Sequence, residues 1–208
     1  MEALLLARHG ETDWNATGRF QGQTDVPLNA KGLAQAEALA RSPRLRGVRT
    51  IYTSDLQRSL QSAQAVASAL ACPLIPDPRL RELNYGAWEG MTREEIAAAY
   101  PELWAQRLKD QNIMPPGAEA LEDAAERLRG FLADLRTARP EGGVLVMTHG
   151  GLLSVLACVV TGLPLHRRFI FRTGNTGLCM LGLGEDSDGF VRLWNDTCHL
   201  DGDVDPWL

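Results

Sequence analysis

Two short apolar runs, Ala3-Leu4-Leu5-Leu6-Ala7 and Val144-Leu145-Val146-Met147-Thr148, lead into Arg8-His9-Gly10 and His149-Gly150-Gly151. An apolar run of this length closed by glycine reads as a buried strand running into a turn. Open α/β sheets hold their ligands beyond the carboxyl ends of their strands. Two strands that each deliver a His-Gly to one rim therefore point to an α/β sheet carrying a polar site there. Adjacent strand residues face opposite sides, so Arg8 and His9 share that site only if the chain turns, and Gly10 is read as supplying the freedom to do so.

The remaining pattern fits this frame. Strand signals fall at about 3–7, 48–53, 144–148, 177–183 and 190–194, and helical periodicity covers about 30–42, 55–70, 92–109, 118–138 and 151–161. Alternating strands and helices predict a three-layer sandwich around a mostly parallel sheet, within a single domain over 1–208. The last two strands, joined by Gly184-Glu185-Asp186-Ser187-Asp188-Gly189, read as a hairpin that makes one antiparallel edge. Residues 77–117, rich in Pro and Gly around two helical pieces, read as an insertion over the carboxyl edge of the sheet, a lid or specificity element. The acidic tail Asp201–Leu208 is read as a frayed or docked terminus rather than a calcium loop.

Charge narrows the partners. A formal net charge of −5 on 208 residues argues against nucleic acid and against an anionic membrane surface, both of which require clustered excess Lys and Arg. It leaves room for a small anion held by a local arginine cluster. Cys72, Cys158, Cys179 and Cys198 have neither disulfide-framework nor zinc-knuckle spacing. Five apolar residues before Arg8 are too few for a signal segment, so a cytoplasmic protein is expected.

The chemistry-bearing residues cluster in three stretches. Glu11, Thr12, Asn15 and Arg19-Phe20-Gln21-Gly22 follow the first His-Gly. Ser54 or Asp55 is the expected N-cap of a helix that carries Arg58 in its first turn, where its guanidinium fork and the helix N-terminus both favour an anion. Gly150 and Gly151 open a further helix whose backbone N–H groups are expected to face the same anion. Two imidazoles, two guanidiniums and these helix N-termini suit a compact, multiply charged oxyanion, and phosphate fits best. A neutral histidine in such a cage is a nucleophile toward phosphorus. Departure of an alkoxide then needs an acid. Glu82 is the candidate, because a partly buried carboxyl beside a phosphate dianion keeps its proton more tightly; Glu11 and Glu89 compete for the role. His166, Arg167, Arg168 and Arg172 read as a solvated segment in preference to a second anion patch, with Arg172 able to reach the rim. Trp14, Trp88 and Trp104 are divided between the core and the mouth of the site, and Asn175 and His199 are read mainly as structural.

Taken in order, Arg8-His9-Gly10-Glu11-Thr12, Asn15, Arg19-Phe20-Gln21-Gly22, Ser54-Asp55-Leu56-x-Arg58, Glu82 ahead of Gly86-x-Trp88-Glu89-Gly90, and Thr148-His149-Gly150-Gly151 resemble the histidine phosphatase superfamily. This group contains the cofactor-dependent phosphoglycerate mutases and their phosphatase relatives, and the resemblance runs from residue 3 to about 199. It implies that His9 is the phosphorylated nucleophile and Glu82 the proton donor. It further implies that Arg8, Arg58 and His149 hold the phosphoryl group with help from Asn15 and Gln21. No metal and no cofactor are implied; two arginines beside the site would repel a cation placed among His9, Asp13, His149 and Glu82. The expected activity is hydrolysis of a small phosphorylated metabolite, and a homodimer is compatible with it. Mutases of the group tend to carry an adjacent Arg pair in the insertion, whereas Trp104-Ala105-Gln106-Arg107-Leu108-Lys109 has one Arg and one Lys. The resemblance therefore favours the phosphatase branch over the mutase.

Overall fold

A computed structural model describes residues 3–184 and 189–200. The acidic tail, and the Glu185–Asp188 part of the expected hairpin loop, lie outside the described residues. The elements run β1 (Ala3–Arg8), α1 (Asp13–Ala16), α2 (Ala30–Ala40), β2 (Val48–Thr53), α3 (Gln57–Leu70), β3 (Leu74–Pro76), α4 (Arg93–Ala99), α5 (Pro101–Lys109), α6 (Leu121–Ala138), β4 (Gly143–Thr148), α7 (Gly150–Thr161), β5 (Leu178–Gly182) and β6 (Phe190–Asp196).

The sheet has the order β3-β2-β4-β1-β5-β6. The β3, β2, β4 and β1 strands are mutually parallel, with Leu5 opposite Leu145 and Ile51 opposite Leu74. The β5 strand runs against β1, and β6 pairs antiparallel to β5, so the antiparallel portion lies at one edge as the hairpin signal predicted. Alternation along β1 divides the core between two faces. Leu4 and Leu6 pack with Leu128, Phe131, Leu152 and Leu156 of α6 and α7, while Ala7 on the other face joins Leu39, Ala63 and Val66 of α2 and α3. Truncating one of the fully buried leucines to alanine removes about 2–5 kcal/mol of such packing.

Two sequence expectations change. β3 was not expected: three residues, two of them exposed and ending on Pro76, carry almost no strand signal, and the pairing exists because β2 offers a free edge. The single helical stretch expected over 92–109 is two helices, because Pro101 cannot continue the hydrogen-bond ladder of α4 and instead starts α5 at its first position.

For the site, the decisive feature is that β1, β2 and β4 end at one edge. Arg8 closes β1, and the next residue, His9, donates its backbone N–H to Thr148 O at 2.9 Å. This bond ties the end of β1 to the end of β4, one residue before His149. The small residues on the buried face of α3 allow a close approach: Ser62 Oγ accepts the Gly10 N–H at 3.0 Å, and Ser59 Oγ donates to Met147 O.

Candidate active site

A cavity of about 350 Å³ opens at this edge, lined by residues from the end of β1, from α3 and α7, from the 14–22 loop, from the insertion and from residues 168–173. Arg8, His9, Asn15, Gln21, Arg58, Glu82 and Gly150, all singled out from the sequence, line it. His149 lies against His9, with ring centroids 5.1 Å apart and planes at 60°.

The two imidazoles are held in complementary tautomers. His9 Nδ1 lies 2.6 Å from Gly10 O; a carbonyl only accepts, so Nδ1 carries the hydrogen and Nε2 keeps its lone pair. Arg58 Nε donates to His149 Nδ1 at 3.2 Å; a guanidinium only donates, so the hydrogen of His149 sits on Nε2, which is buried without a partner. One ring thus offers a nucleophilic nitrogen and its neighbour an unspent N–H donor. Burial, Arg58 and Arg8 hold the pKa of His9 well below the usual histidine value; burial, Arg58 and His9 do the same for His149. Both rings are neutral at pH 7.

Arg58 is fully buried at the second position of α3, and burial lowers its pKa to about 10, which leaves it a cation at neutral pH. The cap in front of it is not the expected one. Leu56 is the N-cap; Asp25 Oδ1 accepts the Gln57 N–H at 2.7 Å, while Asp55 makes a two-pronged ion pair with Arg81 at 2.6 and 2.7 Å. Nor is the guanidinium fork wholly open to a ligand. Beyond the bond to His149, Arg58 donates to Thr24 O at 2.8 Å and Gly22 O at 2.6 Å, which leaves one N–H on each terminal nitrogen. Arg8 gives an N–H to Thr173 O at 2.8 Å, and its buried Nε has no partner.

Glu82 occupies the N-terminus of α7. Gly151 N–H donates to its Oε2 at 2.9 Å, and Leu152 and Leu83 N–H donate to its Oε1 at 2.8 and 2.9 Å. The expectation that the first amides of α7 face the ligand is therefore corrected: two of them are occupied by this carboxylate, which supplies the cap that His149 lacks. Gly151 permits the arrangement, because a Cβ there would lie 2.6 Å from Glu82 Oε1 and 2.8 Å from Tyr85 Oη. The competing acids are engaged elsewhere. Glu89 accepts N–H groups of Gln23, Thr24 and Tyr85, and Glu11 accepts from Asn29 Nδ2. Glu82 is the carboxylate of the cavity lining.

Thr12 caps α1 in a capping box with Asn15, and its hydroxyl also donates to Gln21 Oε1 at 3.0 Å, so the two amides are braced by one residue. Gly10 does not have positive φ; a Cβ there would lie 2.4 Å from Gly32 O, so its role is the close seating of the loop on α2 rather than the expected turning freedom. Trp14 lines the cavity, while Trp88 is fully buried against Phe20 and Trp104. Asn175 donates to His9 O at 3.0 Å, and His199 Nε2 meets Thr176 Oγ1 at 3.1 Å, away from the cavity.

Sequence reasoning missed Tyr85, Arg93, Phe169 and Phe171 as lining residues, and it misplaced Arg168. Arg168 is 2 % exposed, not solvated, and lies in the cavity wall with Arg172. A signal existed: from Gly142 to Gly184 the chain has no Asp or Glu, so its arginines have no local counter-charge. The lining as a whole contains Arg8, Arg19, Arg58, Arg93, Arg168 and Arg172 against Glu82, a cationic cavity in a protein of net charge −5.

A site of this kind, a free imidazole nitrogen within a ring of arginines and fixed N–H donors, suits transfer of a phosphoryl group. The family model of the histidine phosphatase superfamily (branch 1) matches residues 4–197, and the chain belongs to that superfamily. It is 31% identical to phosphoserine phosphatase 1 of Hydrogenobacter thermophilus, over 96% of this chain and 95% of that protein. It is 37% identical to a protein named "Probable phosphoglycerate mutase GpmB" from Enterobacter sp. (strain 638), over 97% and 96%. The structure of a mycobacterial glucosyl-3-phosphoglycerate phosphatase, complexed with VO3, superposes with a TM-score of 0.86 at 30% identity, covering 95% of this chain and all of that one.

Proposed function

We propose that the protein is a metal-independent phosphomonoester hydrolase that works through a phosphohistidine on a small phosphorylated metabolite. The observation that carries this reading is the pair of complementary tautomers: a free Nε2 lone pair on His9 beside an unpartnered Nε2–H on His149. His9 Nε2 attacks phosphorus in line with the P–O bond to the alcohol, and that bond breaks as the P–N bond forms. Arg8 Nε, the remaining N–H groups of Arg58 and the His149 Nε2–H stabilise the charge on the equatorial oxygens, the work that magnesium does in kinases. Asn15, Gln21 and the start of α7 at Gly150 shape the same pocket. Glu82 protonates the departing alkoxide, then takes a proton from the water that attacks the phosphohistidine, which releases phosphate and restores neutral His9.

The insertion serves as the roof, since it brings Glu82, Tyr85 and Arg93 to the cavity. Hydrolysis is favoured over a mutase reaction because neither Arg107 nor Lys109 lines the cavity; Arg107 is spent on Ile113 O and stacked over Trp88 and Phe169. Among the described residues no three His, Cys, Asp or Glu side chains come together as a metal site.

The test is ³¹P NMR of the protein with 3-phosphoglycerate, a trace of 2,3-bisphosphoglycerate and EDTA throughout. Growth of inorganic phosphate, abolished in His9→Ala, is the expected result. Growth of 2-phosphoglycerate would establish a mutase, and loss of turnover in EDTA would overturn the metal-independent mechanism.

A further inference from the structure

Arg168 has no place in the phosphoryl chemistry, yet it is among the largest fully buried side chains of the protein. It sits on the cavity wall, in the segment that joins α7 to β5, with its guanidinium carbon 3.9 Å from the centroid of the Phe169 ring. Its Nε and Nη2 are both buried without a hydrogen-bond partner. These two nitrogens form the edge of the guanidinium that chelates the two oxygens of a carboxylate. Burying a cation with that edge unsatisfied is costly, and its ring contact is with one face only, so the donor edge remains unspent. Arg172, from the same segment, also lines the cavity. The phosphoryl-binding groups Arg8, His9 and Arg58 come from other elements, and the cavity is large enough for a metabolite rather than phosphate alone.

We propose that Arg168 is a specificity residue that binds a carboxylate on the substrate, so that the preferred substrates are phosphomonoesters carrying a second, carboxylate charge. This rests on the phosphatase reading, and it names the class of alcohol being released: a hydroxy acid. A buried edge of two N–H groups rejects a neutral analogue strongly, because the analogue leaves both donors unpaired.

The test compares 3-phosphoglycerate with glycerol 3-phosphate, which replaces the carboxylate with a neutral CH₂OH on the same carbon skeleton. Wild-type protein is expected to favour the carboxylate substrate at least tenfold in kcat/KM, and Arg168→Met is expected to reduce that ratio at least tenfold. Arg168→Lys should restore only part of it, because an ammonium has no two-pronged edge. A wild-type ratio near one, or an unchanged ratio in both variants, overturns the proposal. The wild-type comparison holds even if a variant does not fold. If wild-type protein hydrolyses neither compound nor p-nitrophenyl phosphate, the phosphatase reading fails. Calorimetric binding of the same two compounds to His9→Ala then decides the role of Arg168 separately: equal affinities sink it, and a tenfold preference for 3-phosphoglycerate that Arg168→Met abolishes sustains it.

Discussion

Gly151→Ala is the sharpest perturbation that the site offers. The added Cβ would lie 2.6 Å from Glu82 Oε1, so the carboxylate must move by about 0.4 Å before the contact even reaches 3.0 Å, and Tyr85 Oη at 2.8 Å blocks part of the retreat. The movement weakens the bond that Oε1 accepts from Leu152 N–H, now 2.8 Å. A hydrogen bond to a charged group is worth about 1.5–3 kcal/mol. At about 2–4 °C per kcal/mol for a chain of this size, Tm should fall by roughly 3–12 °C. The larger effect falls on the acid, for which a displaced proton donor costs on the order of 10²-fold. It depends on the leaving group, because p-nitrophenolate departs without a proton and an alkoxide does not. Since kcat/KM reports the steps through departure of the alcohol, it should fall 10- to 100-fold for an alkyl phosphate and by no more than about threefold for p-nitrophenyl phosphate. Equal losses on the two substrates would refute Glu82 as the acid, and a parental rate on the alkyl phosphate would refute the steric reasoning.

Other outcomes follow from the same geometry. Arg58→Lys keeps a charge but loses the Nε that fixes the His149 tautomer, so kcat should fall about 100-fold or more; steady-state kinetics near the parental value would detach the tautomer from catalysis. His9 and His149 are buried neutral, with folded pKa values well below the unfolded value of 6.5. Their contribution is therefore complete above pH 6.5 and lost as the pH falls below it, by about 1 kcal/mol each between pH 7 and 5.5, which urea titrations of the parent and of His149→Gln will read as a smaller pH slope in the variant. Gly130 lies inside α6 with nothing nearer to a new Cβ than Arg79 Nη1 at 3.8 Å, so Gly130→Ala should raise Tm by roughly 2–4 °C in a thermal melt.

What could be read beforehand follows from how local each signal is. His9, His149, Arg8 and Arg58 stand beside strand ends or in a first helical turn, so element positions alone bring them to one rim. Glu82 was legible through the family motif, but its seat on α7 depends on a contact across 69 positions of sequence. Arg168 was misread because a basic run next to a proline looks solvated; its burial comes from stacking on Phe169 and from the insertion, where Asn112 Nδ2 donates to His166 O. β3 escaped for a similar reason, as its order comes from the edge of β2 and not from its own three residues. Asp55 reads as a cap until Arg81 takes both its oxygens, and no local rule ranks that ion pair above the cap.

The carboxylate that caps α7 belongs to the 77–117 segment, so the proposed roof of the cavity and the proposed proton donor are one mechanical part. Any motion that separates Glu82 from α7 strips two amides of their acceptor and removes the proposed acid in the same event. The end of α7 and the placement of the proposed acid are thus coupled: neither changes without the other.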